Sequence, residues 1–384
     1  MRSVTVRAFA KVNMTLEIGE KRRDGYHQLE TLFRGISLHD LVVLRRNGHG
    51  IHLICEAPLS WGVPEDRRNL AWQAAELLCR AFPCKIPGVA IKIRKKIPAA
   101  AGLAGGSADA AAVLLGMNYL YDLELSAEEL GDFAGRLGAD VAFCLEPLAA
   151  LGSGRGEELL PLPPGPVLWV VLLKPPFGLA TKEVYEAWDR QNPDSGDGAQ
   201  DPEVPTRIQE SVKAAAEPEA FGMEATARAG TGIGRPGGPG AAEPQLSLLL
   251  KGLKENDFKL IRDNMFNDLE EPAFSLGKEL RKYKDRLAKE LKEESAAAAA
   301  GKILLCGSGP TLAVFFDSEE PARRLAERLG TVFSGLPPDE AAGIFLTRTT
   351  MDSDMTERII ERNMTLQDEM EDDDEGRDQH DGEY

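Results

Sequence analysis

The chain has 384 residues, 43% of them hydrophobic, enough for two domains with a sizeable core and some chain to spare. Its formal charge of −17 is concentrated at one end, because residues 351–384 hold 14 acidic and 3 basic side chains. No basic cluster with interleaved aromatics and no run of 18 apolar residues occurs, which argues against a nucleic-acid partner and against a membrane span. The first residues pass directly into Val4-Thr5-Val6-Arg7 with no leader-like segment, so a cytoplasmic location is expected. Five scattered cysteines (Cys55, Cys79, Cys84, Cys144 and Cys306) read as reduced thiols rather than a disulfide framework or a zinc site.

In chain order, several strands are expected before Cys55. Lys11 and Asn13 form the polar side of the first, Asp24-Gly25 is a turn, and Tyr26 is a half-buried aromatic. A helix is predicted over 69–82, and Val89, Ile91 and Ile93 alternate with polar neighbours as in a half-buried strand over 89–94. A second helix runs to about Tyr121, and Ser126-x-x-Glu129 opens a third with a capping box. Asp140 follows, ahead of the apolar run Val141-Ala142-Phe143-Cys144-Leu145. The second half reads as a strand over 167–173, helices near 181–190, 247–266 and 274–293, and strands near 302–306, 311–316 and 342–348. Strands and helices mix without regular βαβ alternation, which gives an α+β class in two domains, 1–160 and 161–350. A Gly-, Ala- and Pro-rich stretch at about 192–245 reads as a low-complexity insertion in the second, and 351–384 as a disordered acidic tail.

The most informative segment lies between the 89–94 strand and the next helix: Ile97-Pro98-Ala99-Ala100-Ala101-Gly102-Leu103-Ala104-Gly105-Gly106-Ser107-Ala108-Asp109. Gly102, Gly105 and Gly106 allow positive φ and let backbone N–H groups approach an anion. The helix start adds unpaired donors and the positive end of its dipole, so strand, loop and helix together form an anion site suited to phosphate. Neither G-x-G-x-x-G nor G-x-x-x-x-G-K-[ST] is present, so the two commonest nucleotide motifs do not apply. A tight turn that binds nothing is the alternative reading of the loop by itself.

The pattern Pro98-x-x-x-Gly102-Leu103-Ala104-Gly105-Gly106-Ser107 resembles the phosphate loop of the kinases named for galactose, homoserine, mevalonate and phosphomevalonate. Ala8-Phe9-Ala10-Lys11-Val12-Asn13, Arg23-Asp24-Gly25-Tyr26-His27, Leu137-Gly138-Ala139-Asp140-Val141, Gly152-Ser153-Gly154-Arg155-Gly156-Glu157 and Gly307-Ser308-Gly309-Pro310-Thr311 are similar, in that order, to one branch of that family. Its members phosphorylate 4-diphosphocytidyl-2-C-methyl-D-erythritol in the non-mevalonate route to isoprenoids. The resemblance covers roughly 1–190 and 246–348, and implies a ribosomal-protein-S5-like first domain and a ferredoxin-like second one.

The resemblance also implies roles. Pro98, Ala99, Ala100, Ala101, Gly102, Leu103, Ala104, Gly105, Gly106, Ser107 and Ala108 would bind ATP, and Mg2+ would arrive with the nucleotide. Asp140 would accept the proton of the acceptor hydroxyl, with Lys11 as its electrostatic partner. Asn13 would hold the erythritol hydroxyls, Tyr26 and His27 would meet the cytosine, and Tyr185 and Thr181 would close the site from the second half. Thr181 also reads as a helix N-cap. The alanines at 99, 100, 101, 104 and 108 depart from the more usual Gly or Ser, and alanine takes up positive φ only at a cost. Two other expectations compete: a related kinase acting on an alcohol such as mevalonate or homoserine, and an ATP-binding module without turnover. The Asp24-Gly25-Tyr26-His27 segment speaks against the first of these, and the presence of both Lys11 and Asp140 against the second.

Overall fold

The computed structural model describes residues 2–193, 245–294, 301–338 and 340–363. Most of the expected 192–245 insertion and the chain after residue 363 lie outside them.

Two long antiparallel strands, β1 (Arg2–Lys21) and β2 (His27–Arg46), organise the molecule. Their register shifts between Phe9 and Lys11 and again between Asn13 and Thr15, so that irregularities at Ala10 and Met14 flank the paired segment from Lys11 to Asn13. β3 (Gly50–Glu56) and β4 (Gly88–Arg94) extend the sheet beyond β2, giving the order β12-β1-β2-β4-β3, where β12 is Ile359–Asn363. β5 (Ala149–Ser153) pairs with the early part of β2 and with β6 (Glu158–Pro161), and β8 (Phe266–Asn267) runs parallel to β1 at Thr15 and Leu16.

Against this sheet lie α1 (Leu70–Ala81), α2 (Gly105–Leu120), α3 (Ala127–Leu137) and α4 (Ala139–Leu145). Asn69 caps α1 through Ala71 N at 2.9 Å, and the Ser126–Glu129 capping box opens α3. The small side chains of α2, with Ala108, Ala110, Ala111 and Ala112 all buried, bring its axis close to β1 and β2. At Gly116 a Cβ would fall 2.4 Å from Leu44.

The second sheet has the order β11-β7-β10-β9, from β7 (Trp169–Lys174), β9 (Ile303–Leu305), β10 (Leu312–Phe316) and β11 (Gly343–Arg348), every pairing antiparallel. Between β7 and β9 come α5 (Thr181–Gln191), α6 (Gln245–Glu255), α7 (Phe258–Asp263), α8 (Glu270–Leu276) and α9 (Lys278–Glu294). α10 (Glu319–Ser334) joins β10 to β11. Two apolar cores form. The first fills the space between the first sheet and its helices and takes in one face of the second sheet through Val170, Leu172, Ala313 and Phe315. The second lies on that sheet's other face, where Leu16 and Ile18 carry the end of β1 into it.

Three expectations change. The helices expected over 247–266 and 274–293 are each two: Asn256, at φ 59°, ends α6 while Asp257 caps α7 through Leu260 N, and Gly277 separates α8 from α9. The tail does not begin at 351, because α11 (Asp352–Thr356) and β12 follow and β12 pairs with β1 over Arg2 to Val6. A division at 160 does not separate the two sheets, since β8 and β12 come from the second half of the chain and join the first sheet. Among the described residues no helix is long and apolar enough to cross a membrane.

Candidate active site

A cavity of about 620 Å³ opens where the bulged part of β1, the loop before α2, the start of α4 and the loop after β9 converge. The loop before α2 forms one wall, and every residue from Pro98 to Ser107 lines the cavity. Its shape depends on left-handed backbone at Ala100 (φ 49°), Gly102 (φ 74°) and Ala104 (φ 58°). Gly102 is obligatory for a second reason, because a Cβ there would lie 2.0 Å from the Cys306 carbonyl oxygen. Leu103 accepts the Lys11 N–H at 3.1 Å, which fastens the loop to β1. Ala108 is a correction: it is fully buried, its N–H donates to Ala104 at 2.9 Å, and it does not line the cavity. The donors at the start of α2 are those of Gly105, Gly106 and Ser107.

Lys11 and Asp140 come together on the opposite side. Lys11 Nζ lies 3.4 Å from Asp140 Oδ2 and donates to Asn13 Oδ1 at 2.8 Å, and it sits 5.0 Å from the centre of the Phe33 ring. Asn13 Nδ2 in turn donates to Thr31 Oγ1 at 2.8 Å. Lys11 and Asn13 are almost wholly buried, whereas the Asp140 side chain is 36% exposed in the first turn of α4. A fixed ammonium thus faces an accessible carboxylate, an arrangement able to take a proton from an alcohol and neutralise charge that develops beside it.

Tyr185, Thr181 and Ser308 close the cavity from the second half. Thr181 is not the cap of α5; that position is Ala180, and the Thr181 hydroxyl lies 2.9 Å from Ser308 Oγ. The loop carrying Ser308 is held by Asn267, whose Nδ2 donates to the carbonyls of Leu305 and Gly307 at 2.8 and 2.7 Å.

Tyr26 and His27 do not line the cavity themselves. The His27 ring lies behind Tyr185, stacked at 5.7 Å, edge-on to Trp188 and with Nε2 2.7 Å from Asp189 Oδ1. Burial pulls its pKa below the ordinary value and Asp189 opposes the shift. Burial also raises the Tyr185 phenol, which therefore stays protonated. Tyr26 is 58% exposed and lies under the Arg155 guanidinium, 5.1 Å from ring centre. Arg155 does line the cavity.

A buried trio to which the sequence alone assigns no role lies behind the glycine-rich loop. Lys95 Nζ lies 2.6 Å from both Asp40 Oδ2 and Asp109 Oδ2, while Asp40 Oδ1 accepts the N–H groups of Lys96 and Ile97 at 2.5 and 2.8 Å. The trio ties β2, the end of β4 and α2 together beneath the loop. Its only sequence signal is that Lys95 and Asp109 flank the loop; Asp40 lies 55 residues before Lys95, with β3, α1 and β4 between them. Among the cysteines, burial pushes the thiols of Cys144 and Cys306 up to about 12 and that of Cys55 to about 11, which makes them poor nucleophiles.

Two models of known families match the chain: the GHMP kinases N terminal domain over residues 69–146 and the GHMP kinases C terminal over residues 249–335. The chain is 37% identical over 326 residues to a 4-diphosphocytidyl-2-C-methyl-D-erythritol kinase of Moorella thermoacetica, covering 85% of this chain and 94% of that protein. It is 35% identical over 330 residues to the protein of the same name from Syntrophomonas wolfei, covering 86% and 95%. A crystal structure of 4-(cytidine 5'-diphospho)-2C-methyl-D-erythritol kinase superposes with a TM-score of 0.62 at 29% identity, covering 90% of this chain and all of that one. A homoserine kinase from Cytophaga hutchinsonii, at TM-score 0.59 and 19% identity, shares the fold. The chain therefore belongs to the GHMP kinases and, among them, to the 4-diphosphocytidyl-2-C-methyl-D-erythritol kinase family.

Proposed function

We propose that this chain transfers the γ-phosphoryl group of ATP to the 2-hydroxyl of 4-diphosphocytidyl-2-C-methyl-D-erythritol, a step of the non-mevalonate route to isoprenoid precursors. The observation that carries the reading is the Lys11–Asp140 pair, 3.4 Å apart, facing a glycine-rich loop and a helix N-terminus across one cavity. The acceptor follows from relatives that bear that name at 37% and 35% identity over most of their length.

In this reading residues 98–107 cradle the ATP phosphates through backbone N–H groups, and the start of α2 stabilises their charge. Mg2+ brought by the nucleotide would supply further positive charge at the phosphates. Asp140 takes the proton of the acceptor hydroxyl as its oxygen attacks the γ-phosphorus; the new O–P bond forms, the bond to the β-phosphate oxygen breaks, and ADP leaves. Lys11, held by Asn13, faces the charge that develops on the transferring group. Asn13 and Thr181 orient the erythritol end, and the Tyr185 ring, backed by His27, offers the cytosine a stacking face. His27 acts from behind that face, and Tyr26 from the exposed turn beside Arg155.

The order of the second sheet, β11-β7-β10-β9, is fourth, first, third, second along the chain with helices after the first and third strands. That is the order of a ferredoxin-like domain, and it supports this label for the second half.

ADP release with Mg-ATP tests the reading, with diphosphocytidyl-methylerythritol, mevalonate, homoserine or no acceptor. Turnover only with the first is expected. Turnover with mevalonate or homoserine, or with none of the acceptors, overturns it.

A further inference from the structure

Asp140 and Lys11 stand on different elements, α4 and β1, so their meeting depends on how those elements are held. The Asp140 carboxylate has Lys11 Nζ, at 3.4 Å, as its one ion-pair partner among the described residues, and no hydrogen bond there fixes its rotamer. Its position is therefore that of α4. This helix has seven residues, about two turns, too short for its internal hydrogen bonds to hold it unaided. Val141, Phe143 and Cys144 bury its inner face, and the Phe143 ring packs against Phe33 with 5.1 Å between centres.

The end of α4 away from Asp140 is held by one side chain. Arg358, between α11 and β12, is buried and donates from Nη2 to the Cys144 carbonyl at 2.6 Å and from Nη1 to that of Leu145. Its Nε donates to the Arg7 carbonyl at 3.1 Å, and its own carbonyl accepts the Arg7 N–H at 3.0 Å. Arg7 lies on β1, one turn of sequence ahead of Lys11 on the same strand. A single guanidinium thus ties the helix that carries the carboxylate to the strand that carries the ammonium. Neither Arg358 nor Arg7 lines the cavity, so the tie is made behind the reacting groups. Arg358 is itself fixed by its N–H, which donates to the Met355 carbonyl at 3.2 Å, while the neighbouring Glu357 makes only an exposed pair with Arg7 Nη1 at 3.2 Å.

We propose that Arg358 is a positioning residue for phosphoryl transfer: by clamping α4 to β1 it sets the distance and angle at which Asp140 meets Lys11 and the acceptor hydroxyl. The inference rests on the proton-acceptor role given to Asp140 above. A reacting group displaced by about 1 Å can cost about 10²-fold in rate, so a contact outside the cavity is able to govern the step inside it. The segment from α11 to β12 then serves the chemistry as well as the first sheet.

The test is the single-turnover rate constant with ATP and diphosphocytidyl-methylerythritol both saturating, a quantity that does not depend on the fraction of chains folded. Arg358→Met should lower it by about 10- to 100-fold with the Kd of Mg-ATP unchanged, because residues 98–107 belong to other elements. Arg358→Lys, which keeps the charge and fewer donors, should lie between the two. Glu357→Gln, which loses only the exposed pair, should match the native chain. The discriminating arm repeats Arg358→Met in an Asp140→Asn background: with the carboxylate gone its placement no longer matters, and the further loss should shrink to about two-fold or less. Where Arg358→Met does not fold, Arg358→Lys in the two backgrounds gives the same comparison. An equal fold-loss in both backgrounds, a rate within a few fold of the native chain, or a loss matched by weaker Mg-ATP binding overturns the proposal and leaves the reaction standing. Absence of transfer in the native chain overturns the acceptor reading and the role of Arg358 with it.

Discussion

Ala100 and Ala104 pay for the shape of the phosphate loop in backbone strain, since an L-residue with a Cβ in the left-handed region costs about 1–2 kcal/mol relative to right-handed backbone. Glycine removes that cost but gives some back through the freedom of the unfolded chain. Ala100 is the cleaner site because it is exposed. Ala100→Gly should stabilise the protein by roughly 0.5–1 kcal/mol in urea unfolding, and a loss of stability would show that the φ is not strained. Asp109 offers a second prediction, because a single ammonium serves two carboxylates and Asp109 Oδ1 has no partner among the described residues. Burial, with the charge of Asp40 adding to it, raises the Asp109 pKa above its ordinary value against the pull of Lys95. A raised acid keeps its proton in the folded state while the unfolded chain has already released it. Its contribution is therefore best at low pH and is lost as pH rises from the ordinary carboxylate range through the raised value. The native chain should lose stability relative to Asp109→Asn between pH 5 and pH 9; parallel melting profiles would contradict this.

Helix α4 carries Asp140 at one end and is held at the other by a residue from far along the chain. Arg358 donates from Nη2 to the Cys144 carbonyl at 2.6 Å, from Nη1 to that of Leu145, and from Nε to that of Arg7 at 3.1 Å. Burial lowers its pKa to about 10, which leaves it charged at neutral pH and suited to the negative end of a helix. Arg358→Met would fill similar space yet deprive three carbonyls, that of Cys144 buried and those of Arg7 and Leu145 partly so, of this donor. It should cost about 3 kcal/mol in denaturant unfolding, and a change below about 1 kcal/mol would deny the clamp. This contact shows where sequence reading stops. Local signals found α1, the strand before the loop, the loop itself and the capping box of α3, because caps and periodicity are carried by neighbouring residues. The break at Asn256-Asp257 was present as a cap signal but was overrun by helical periodicity on either side. Residues 351–363 were absorbed into the acidic tail because charge was averaged over 34 residues, although Ile359, Ile360 and Arg358 sit ahead of the acidic run.

At the scale of the molecule, the sequence order of Lys11, the loop and Asp140 gave no distances; convergence comes from two strands of 20 residues each and from bulges in their pairing. The Asp40–Lys95–Asp109 trio and the stacking of Arg155 on Tyr26 were hidden for the same reason, since each joins residues from separate elements. A site built from both halves of the chain predicts that nucleotide binding stabilises the whole. With Mg-ATP at 100 times its Kd the gain should be about 2.7 kcal/mol, read as a rise in Tm. On the proposed roles, the same rise should persist in Asp140→Asn, which leaves residues 98–107 untouched; its loss there would place Asp140 in nucleotide binding instead.

The most direct test of the account is the rate of phosphoryl transfer in a single turnover, native chain against Asp140→Asn, with ATP and diphosphocytidyl-methylerythritol both saturating. A general base removed from a formed complex should slow transfer by roughly 10²- to 10⁴-fold with the affinity for nucleotide unchanged. A rate within a few fold of the native chain would contradict the role of Asp140 and the mechanism built on its pairing with Lys11.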